Sequence, residues 1–573
     1  MTIGAARADL GANAMLQRER ELNKLSLRAK GFASYKDEST MSDLQSEPRD
    51  PKSVWWRDGI IYQIYPRSFA DSNGDGVGDL LGILSKLDYL QWLGIDAIWL
   101  SPIYPSPMAD FGYDVSNYHD VDPVFGKLAD LDRLVSEAHS RGIRIVLDMV
   151  MNHTSDQHLW FVESRASRDN PKRDWYIWRD PRDGHEPNNW ESIFGGKAWE
   201  WDERTGQYYL HLFVPGQPDL NWRNPQVKAA MFDECCFWLD RGVDGFRLDV
   251  AHMLVKAEGL PDNPPRFGLR SYDRQDHSHQ INQPETHVIW KEFRKLLDEY
   301  PERMAVGEVE TVGAEGYYGN GQDELSLVFN FALLAQGWRA RDFFKVVADW
   351  ETRLPATTWP CWVLGNHDVH RLASRYAAGS LTEERTRVAA VMLLTLRGTP
   401  FIYYGEEIGM REGDIPREEI VDPPGRKYWP LDKGRDGCRT PMQWDSTLNA
   451  GFSTGKPWMR VNPDFKSRNV EAQRAAPKSL LNLYRQLIAL RRQSPALVHG
   501  TYRALSRPIS VWAYERATDD QRMLIVLNFF SRPAQVGVEG EWRVRLSSVE
   551  RPESTVLNLL SLAPNEAVIL EAM

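Results

Sequence analysis

Three acidic residues close short apolar runs: Asp249 in Gly245-Phe246-Arg247-Leu248-Asp249, Glu308 in Val306-Gly307-Glu308 and Asp368 in Gly365-Asn366-His367-Asp368. Each run reads as a strand, and carboxylates at the ends of parallel barrel strands converge on one face. A lone Asp there could equally cap the following helix. Three together, beside Arg247 and His367, favour chemistry, because burial and mutual repulsion make such a cluster a poor way to stabilise a fold. Arg247 and Asp249 stand two apart, so on a strand their side chains project the same way and meet over one ligand. Asp249 fits a nucleophile held ionised by that guanidinium. Glu308 fits the proton donor, a role that nearby negative charge favours. Asp368 suits stabilisation of developing positive charge, or a grip on sugar hydroxyls. His153 and His367 each follow an Asn at a strand end and fit hydroxyl donors, with a barrel-rim hydrogen-bond link as the structural alternative.

A second constellation lies at Asp71-Ser72-Asn73-Gly74-Asp75-Gly76-Val77-Gly78-Asp79. Oxygen donors recur at every second residue around glycines, a spacing suited to a hard cation, Ca2+ or Mg2+. Asp71, Asn73, Asp75 and Asp79 would supply side chains and Val77 its carbonyl. The bidentate Glu that closes an EF-hand loop is missing, since its place is Gly82, so the expected role is structural. A metal-free turn rich in Asp and Gly is the alternative. No cofactor is expected for catalysis.

The elements that must carry these residues follow from the hydrophobic pattern. Candidate strands fall at 59–69, 97–102, 144–150, 245–250, 305–309, 326–331, 362–365 and 400–404, with amphipathic stretches such as 80–93 and 130–141 between many of them. Apolar Leu131, Leu134, Val135 and Ala138 recur at helical spacing before Arg141-Gly142, a plausible C-terminal stop. Eight strands with intervening helices predict an α/β fold, a closed parallel (β/α)8 barrel. The span from Val150 to the next helix near Pro225 is too long for an ordinary crossover. With Trp160, Trp175, Trp178, Trp190, Trp199, Trp201 and Trp222, it reads as an inserted subdomain. Its aromatic residues can form a small core or present flat faces to sugar rings. After about residue 485, short alternating strands predict an antiparallel β-sandwich. The organisation is then a flexible extension at 1–50, barrel at 51–153, insertion at 154–222, barrel at 223–484 and sandwich at 485–573.

Composition narrows the partners. Lys plus Arg number 69 and Asp plus Glu 80, a formal charge of −11, which disfavours nucleic acid and anionic membrane. The longest nearly unbroken apolar run, Val388 to Leu396, is nine residues against the roughly 20 that a spanning helix needs. Four scattered cysteines, Cys235, Cys236, Cys361 and Cys438, match neither a disulfide scaffold nor a zinc site. With no apolar leader near the N-terminus, the expected compartment is the cytoplasm. The sequence sets no oligomeric state.

The stretches Asp148-Met149-Val150-Met151-Asn152-His153, Gly245 to Asp249, Gly307-Glu308-Val309 and Asn366-His367-Asp368 resemble, in order and spacing, the signature regions of the α-amylase family, glycoside hydrolase family 13. Gln217-Pro218-Asp219-Leu220-Asn221 looks like the fifth region found in its oligo-1,6-glucosidases and α-glucosidases. The resemblance covers about residues 54 to 573. It implies the same barrel, insertion and C-terminal sandwich, and a retaining double displacement on α-glucosides with Asp249 as nucleophile and Glu308 as acid and base. Asp368, Arg247, His153 and His367 carry over as substrate clamps, and Asp148 and Asn152 as supporting members of the first region. Asp110-Phe111-Gly112-Tyr113-Asp114 and the stretch from Arg439 to Asp445 look like the segments that close the pocket round a terminal glucose. Asp110 and Arg439 would hold its outer hydroxyls and Tyr113 would form a platform. Val250 matches the residue associated with 1,6-linkage acceptance, whereas Ala251-His252-Met253 and Glu310-Thr311 depart from the oligo-1,6-glucosidase pattern.

What the resemblance implies is an exo-acting α-glucosidase taking α-1,6- or α-1,4-linked glucose from short oligosaccharides. Transglucosylation or isomerisation, including trehalose formation, would use the same glucosyl ester. A non-catalytic, transporter-associated or carbohydrate-binding member of the family is the reading from another class; it would tolerate eroded carboxylates, and these are intact.

Overall fold

The computed structural model describes residues 54–309, 313–320, 323–355, 357–505, 509–551 and 555–573. The expected extension at 1–50, and Glu310 and Thr311, lie outside the described residues. The barrel begins with β1 (Ile61–Ile64), β2 (Ala97–Leu100) and β3 (Arg144–Met149). An insertion then carries β4 (Trp178–Arg179), β5 (Trp199–Asp202) and β6 (Gln207–Leu210), a small antiparallel sheet in the order β4-β6-β5. The barrel resumes with β7 (Gly245–Leu248), β8 (Met304–Gly307), β9 (Leu327–Asn330), β10 (Cys361–Val363) and β11 (Thr399–Tyr403), and closes where β11 pairs in parallel with β1. All eight expected runs contain a strand.

Period-two alternation decides what fills the barrel. Ile61, Trp99, Val146, Val306, Phe329, Val363 and Phe401 form one buried interior cluster. The alternate residues Ile98, Ile145, Leu147, Phe246 and Leu248 belong to the cluster beneath the helices. Two residues beyond Val146 comes Asp148, and two beyond Val306 comes Glu308, so both carboxylates rise from the same interior column. Register places Asp148 beside Arg247 and Arg247 beside Val306. Gly245 starts β7 because a Cβ there would lie 2.3 Å from the Met304 carbonyl oxygen, and the close approach of β8 leaves no room for it.

The helix Leu128–Ser140 buries Leu131, Leu134, Val135 and Ala138, the face read from spacing. It ends in a Schellman turn. Gly142 takes φ +73°, its N–H donates to His139 O at 2.9 Å, and the Ile143 N–H donates to Ala138 O at 2.9 Å, so two terminal carbonyls are satisfied. The expected helix at 80–93 is instead two, Leu80–Ser85 and Leu87–Leu93. At Lys86, ψ is 4° and the N–H turns to Ile83 O, which interrupts the ladder, while its ammonium lies 4.3 Å from the Trp444 ring centroid.

The C-terminal strands β12 (Thr501–Ala504), β13 (Val511–Ala517), β14 (Arg522–Asn528), β15 (Ala534–Ser547), β16 (Thr555–Leu562) and β17 (Ala567–Ala572) hydrogen-bond as one six-stranded antiparallel sheet. One face, with Trp512, Tyr514, Ile525 and Ile569, joins the main core; the other, with Leu524, Val526, Trp542, Val544 and Val568, forms its own. The apolar run at Val388 is the buried helix Thr382–Thr395. Its last turn is capped by Arg491, which donates to the carbonyls of Leu394 and Leu396, and by Arg516, which donates to that of Thr395, a favourable place for cations. Among the described residues no helix is long and apolar enough to cross a membrane, and all four cysteines are free.

Candidate active site

Arg247 organises the barrel mouth. Its Nη1 donates to Asp148 Oδ1 and to Asp249 Oδ1, each at 2.8 Å, and its Nη2 donates to Glu308 Oε2. The shared strand face thus brings Arg247 and Asp249 together, and β3 and β8 add the two flanking carboxylates. Burial raises Asp249 well above the ordinary carboxylate range; Arg247 pulls it back, while Glu308 and Asp148 push it further up. Burial likewise lifts Asp148 to about 6 against Arg247. One guanidinium faces three carboxyls, and the Asp148 charge opposes the ionisation of Asp249. Asp249 is therefore less readily ionised than its contact with Arg247 alone suggests.

Val250 follows Asp249 in a strained conformation, with φ +35°, uncommon for a β-branched residue. In that pose its N–H reaches Glu308 Oε2 at 3.3 Å, while its side chain belongs with Met253 to the buried cluster that takes in Trp190 and Leu212 of the insertion.

Asp148 is buried beneath this group and accepts from Trp99 Nε1 at 3.2 Å and from the Tyr113 hydroxyl at 2.9 Å. It orients Arg247 and Tyr113 from below. His367 extends the chain, with Nε2 2.7 Å from the Tyr113 hydroxyl and Nδ1 2.8 Å from Gln63 Nε2. With Gln63 donating, the ring proton sits on Nε2, and Tyr113 passes its own hydrogen bond to Asp148. Burial holds His367 down to about 3 and His153 to about 4, so both are neutral near pH 7. His153 Nε2 lies 3.1 Å from the Tyr113 carbonyl and Nδ1 3.1 Å from Asn152 Nδ2, which makes it part of the wall behind Tyr113. Asn152 also accepts from Lys256 Nζ at 2.7 Å and donates to Asp219 at 3.1 Å, tying the insertion to the barrel.

The far side is closed by two arginines. Arg439 Nη2 donates to Asp368 Oδ1 at 3.0 Å, and its Nε to the His367 carbonyl at 2.8 Å. Arg435 donates to Asp368 at 3.1 Å, to Asp110 at 2.6 Å and to the buried Asp422 at 2.7 Å. Burial pushes Asp368 up, but His367, Arg435 and Arg439 together hold it well below the usual range. Asp110 stays somewhat raised, burial outweighing Arg435 and Arg439. Arg435 was not among the residues singled out from sequence; its signal was its position four before Arg439, on the adjoining turn Asp436–Arg439.

The insertion's tryptophans are mostly core. Trp190 and Trp199 pack with Ile177, Leu210 and Leu212, and Trp178 stacks on Phe161 with 5.6 Å between centroids. The aromatic faces over the site are phenylalanines: Phe213 is 5.0 Å from the His153 ring and Phe194 lies 5.0 Å from the Arg435 guanidinium.

In the loop at Asp71, the donor set is largely engaged. Asp71 accepts from the N–H groups of Asn73, Gly74 and Gly76 and from the Ser453 hydroxyl. Asp79 accepts from Gly82 N at 2.6 Å and from Ser72, so it caps the helix that follows. Asn73 and Asp75 are exposed, Asn73 donating to Asp75 Oδ2 at 3.2 Å and Asp75 Oδ1 accepting from Val77 N. Among the described residues no three His, Cys, Asp or Glu side chains gather as a metal group.

Comparison with known proteins agrees with this geometry. The family described as Alpha amylase, catalytic domain, matches residues 63–500. A probable alpha-glucosidase of Rhizobium meliloti (strain 1021) is 44% identical over 512 residues, 86% of this chain and 93% of the relative. An oligo-1,6-glucosidase of Parageobacillus thermoglucosidasius is 43% identical over 514 residues, 83% of this chain and 90% of the relative. Among solved structures, the alpha-glucosyl transfer enzyme XgtA superposes with a TM-score of 0.86 at 42% identity, covering 91% of this chain and 100% of its own. The trehalulose synthase MutB of Pseudomonas mesoacidophila MX-45 does so with a TM-score of 0.83 at 37% identity, over 91% and 100%.

Proposed function

The chain belongs to the α-amylase family, glycoside hydrolase family 13, and on that premise we propose that it is an exo-acting retaining α-glucosidase of short α-1,6- and α-1,4-linked oligosaccharides. The observation that carries this reading is the pair Asp249 and Glu308 on one guanidinium, with Asp110, Asp368, Arg435 and Arg439 walling off the space beside them. Charged groups interlocked across that wall disfavour a sugar beyond the terminal glucose, so the proposed substrate presents a chain end.

Asp249 attacks the anomeric carbon, the glycosidic C–O bond breaks, and the proton of Glu308 passes to the leaving oxygen. Glu308, now a carboxylate, takes a proton from water as that water displaces Asp249, and glucose leaves with its configuration retained. Arg247 stays bound to both carboxyls as their charges exchange. Asp368 and Arg439 engage the hydroxyls of the distorted ring, and neutral His367 spends its one ring proton on the Tyr113 hydroxyl, holding that residue in place.

A second reading is favoured by the solved relatives, whose names denote glucosyl transfer and trehalulose synthesis. The same glucosyl ester would then pass to a sugar hydroxyl in place of water. Initial glucose release from isomaltose, maltose, sucrose, trehalose and soluble starch tests the main reading. We expect the short substrates to outpace starch per chain end, whereas rapid starch depolymerisation defeats the closed pocket. Incubation in concentrated maltose separates the two readings, since new disaccharides in place of glucose mark transfer. We further propose one structural Ca2+ or Mg2+ in the Asp71–Asp79 loop, on Asp71, Asn73, Asp75, Asp79 and the Val77 carbonyl, and the cytoplasm as the compartment suited to four free thiols.

A further inference from the structure

Asp110 stands on a backbone turn that side chains rarely adopt. Met108 and Phe111, on either side of it, have φ of +63° and +50°, in the left-handed region that a Cβ disfavours. Gly112 follows at φ +105°, where an added Cβ would lie 3.2 Å from the Pro102 carbonyl oxygen. Such a turn persists only if its surroundings over-determine it.

One fully buried carboxylate does so. Asp114 Oδ2 accepts from the Ala109 N–H at 2.8 Å, and Oδ1 accepts from the Asp110 N–H at 3.0 Å and from the Ser106 hydroxyl at 2.9 Å. Ser106 Oγ in turn accepts from the Met108 N–H at 2.9 Å. The N–H groups of Met108, Ala109 and Asp110 are thus gathered directly or through one hydroxyl onto Asp114, and among the described residues no ion pair to it is formed. Burial lifts its carboxyl to about 6 against these donors, as expected of an acid whose only compensation is hydrogen bonding. A hydrophobic residue would suit so buried a position better unless the turn needed the acceptors.

We propose that Asp114 is a positioning residue of the pocket's closed end: gripping the N–H groups of Ala109 and Asp110 and the Ser106 hydroxyl, it holds the strained Met108–Phe111 turn in the conformation that aims Asp110 at Arg435 and at the outer hydroxyls of the terminal glucose. The inference rests on the exo-acting reading above. Asp114 touches no substrate and acts through Asp110. An Asn there turns an NH2 group toward N–H or O–H donors, so even this isosteric change loosens the turn.

The test is a double-mutant cycle on isomaltose with kcat, KM and Tm measured for S106A, D114N, D110A, D110A/S106A and D110A/D114N. We expect D114N to lose at least about tenfold in kcat/KM, mostly through KM, and S106A to lose less. In the D110A background both losses shrink to within about threefold, because the group they serve is already gone. Full additivity, or D114N at the wild-type kcat/KM, overturns the proposal; a merely structural residue would lower Tm and add in full. If D114N does not fold, S106A, which removes one hydroxyl and no charge, carries the same cycle. If the wild type releases no glucose, the exo-acting reading falls by itself, and a crystal structure of S106A or D114N decides the proposal separately. Asp110 beyond hydrogen-bond distance of Arg435 upholds it, and an unmoved Asp110 overturns it.

Discussion

Asp249 and Glu308 hang from the two arms of one guanidinium, Arg247 Nη1 meeting Asp249 at 2.8 Å and Nη2 meeting Glu308. In the proposed mechanism, attack and proton donation are thereby indexed to one guanidinium plane, so their spacing does not depend on two separate loops.

Replacing Asp249 by Asn removes the covalent route while keeping shape. D249N is expected to lose at least about a hundredfold in kcat with Tm little changed. Proton NMR of the first sugar released by the wild type should show the α-anomer; the β-anomer would rule out double displacement.

Lysine keeps the charge of Arg247 but not its planar fork. R247K is expected to drop kcat by about a hundredfold or more, and to lower Tm, since the buried Asp148 and Asp249 and the half-buried Glu308 lose directed donors. Single-turnover rates beside thermal melts separate the two effects.

The pH profile follows from the burial of these carboxyls. Burial lifts Asp148 to about 6 and Asp249 well above its ordinary value, so kcat/KM should climb with rising pH as the proposed nucleophile becomes charged, along an acid limb displaced upward from that of an ordinary carboxylate. In D148N one of the charges opposing that ionisation is gone, and the acid limb moves to lower pH. The linkage sign is fixed by the same rise. Between the unfolded Asp pKa of about 3.9 and the folded value of about 6, the native state keeps a proton that the unfolded chain has lost. Asp148 therefore makes stability fall with rising pH across that window, and denaturant melts of D148N should show a flatter dependence.

Arg435 forms ion pairs with Asp110, Asp368 and Asp422 at once. R435A leaves those carboxylates short of a partner, and a stability loss of about 3 kcal/mol or more is expected. A raised KM for isomaltose should accompany it, because Asp110 and Asp368 lose their orientation. Urea titration and steady-state kinetics on the same preparation measure both.

The cation proposal predicts that chelation lowers Tm and that Ca2+ or Mg2+ restores it, while D75N abolishes the response. Metal content by elemental analysis near one per chain accords with it; a Tm indifferent to chelator removes it.

The barrel was legible because its signals are local. Alternation put Val146 and Asp148, and Val306 and Glu308, on the same strand faces, and Arg141-Gly142 marked a helix end that the structure closes as a Schellman turn. The break at Lys86 was not, because a helical pattern runs through it and the interruption comes from one ψ angle. The clustered carboxylates and Arg247 could be read from strand ends, whereas Arg435 could not: its partners Asp110, Asp368 and Asp422 come from three distant segments, and only tertiary packing joins them. For the same reason the sequence left the insertion's tryptophans open between a small core and sugar faces, and packing decides for the core at Trp190 and Trp199, with Phe213 against His153 and Phe194 against Arg435.

Val250 joins two properties that enzyme design would prefer to keep apart. Its side chain belongs to the insertion's interior while its amide reaches the proton donor. An exchange of that side chain is therefore expected to shift the amide facing Glu308 as well, so repacking the insertion and altering the rim of the site are linked at this residue.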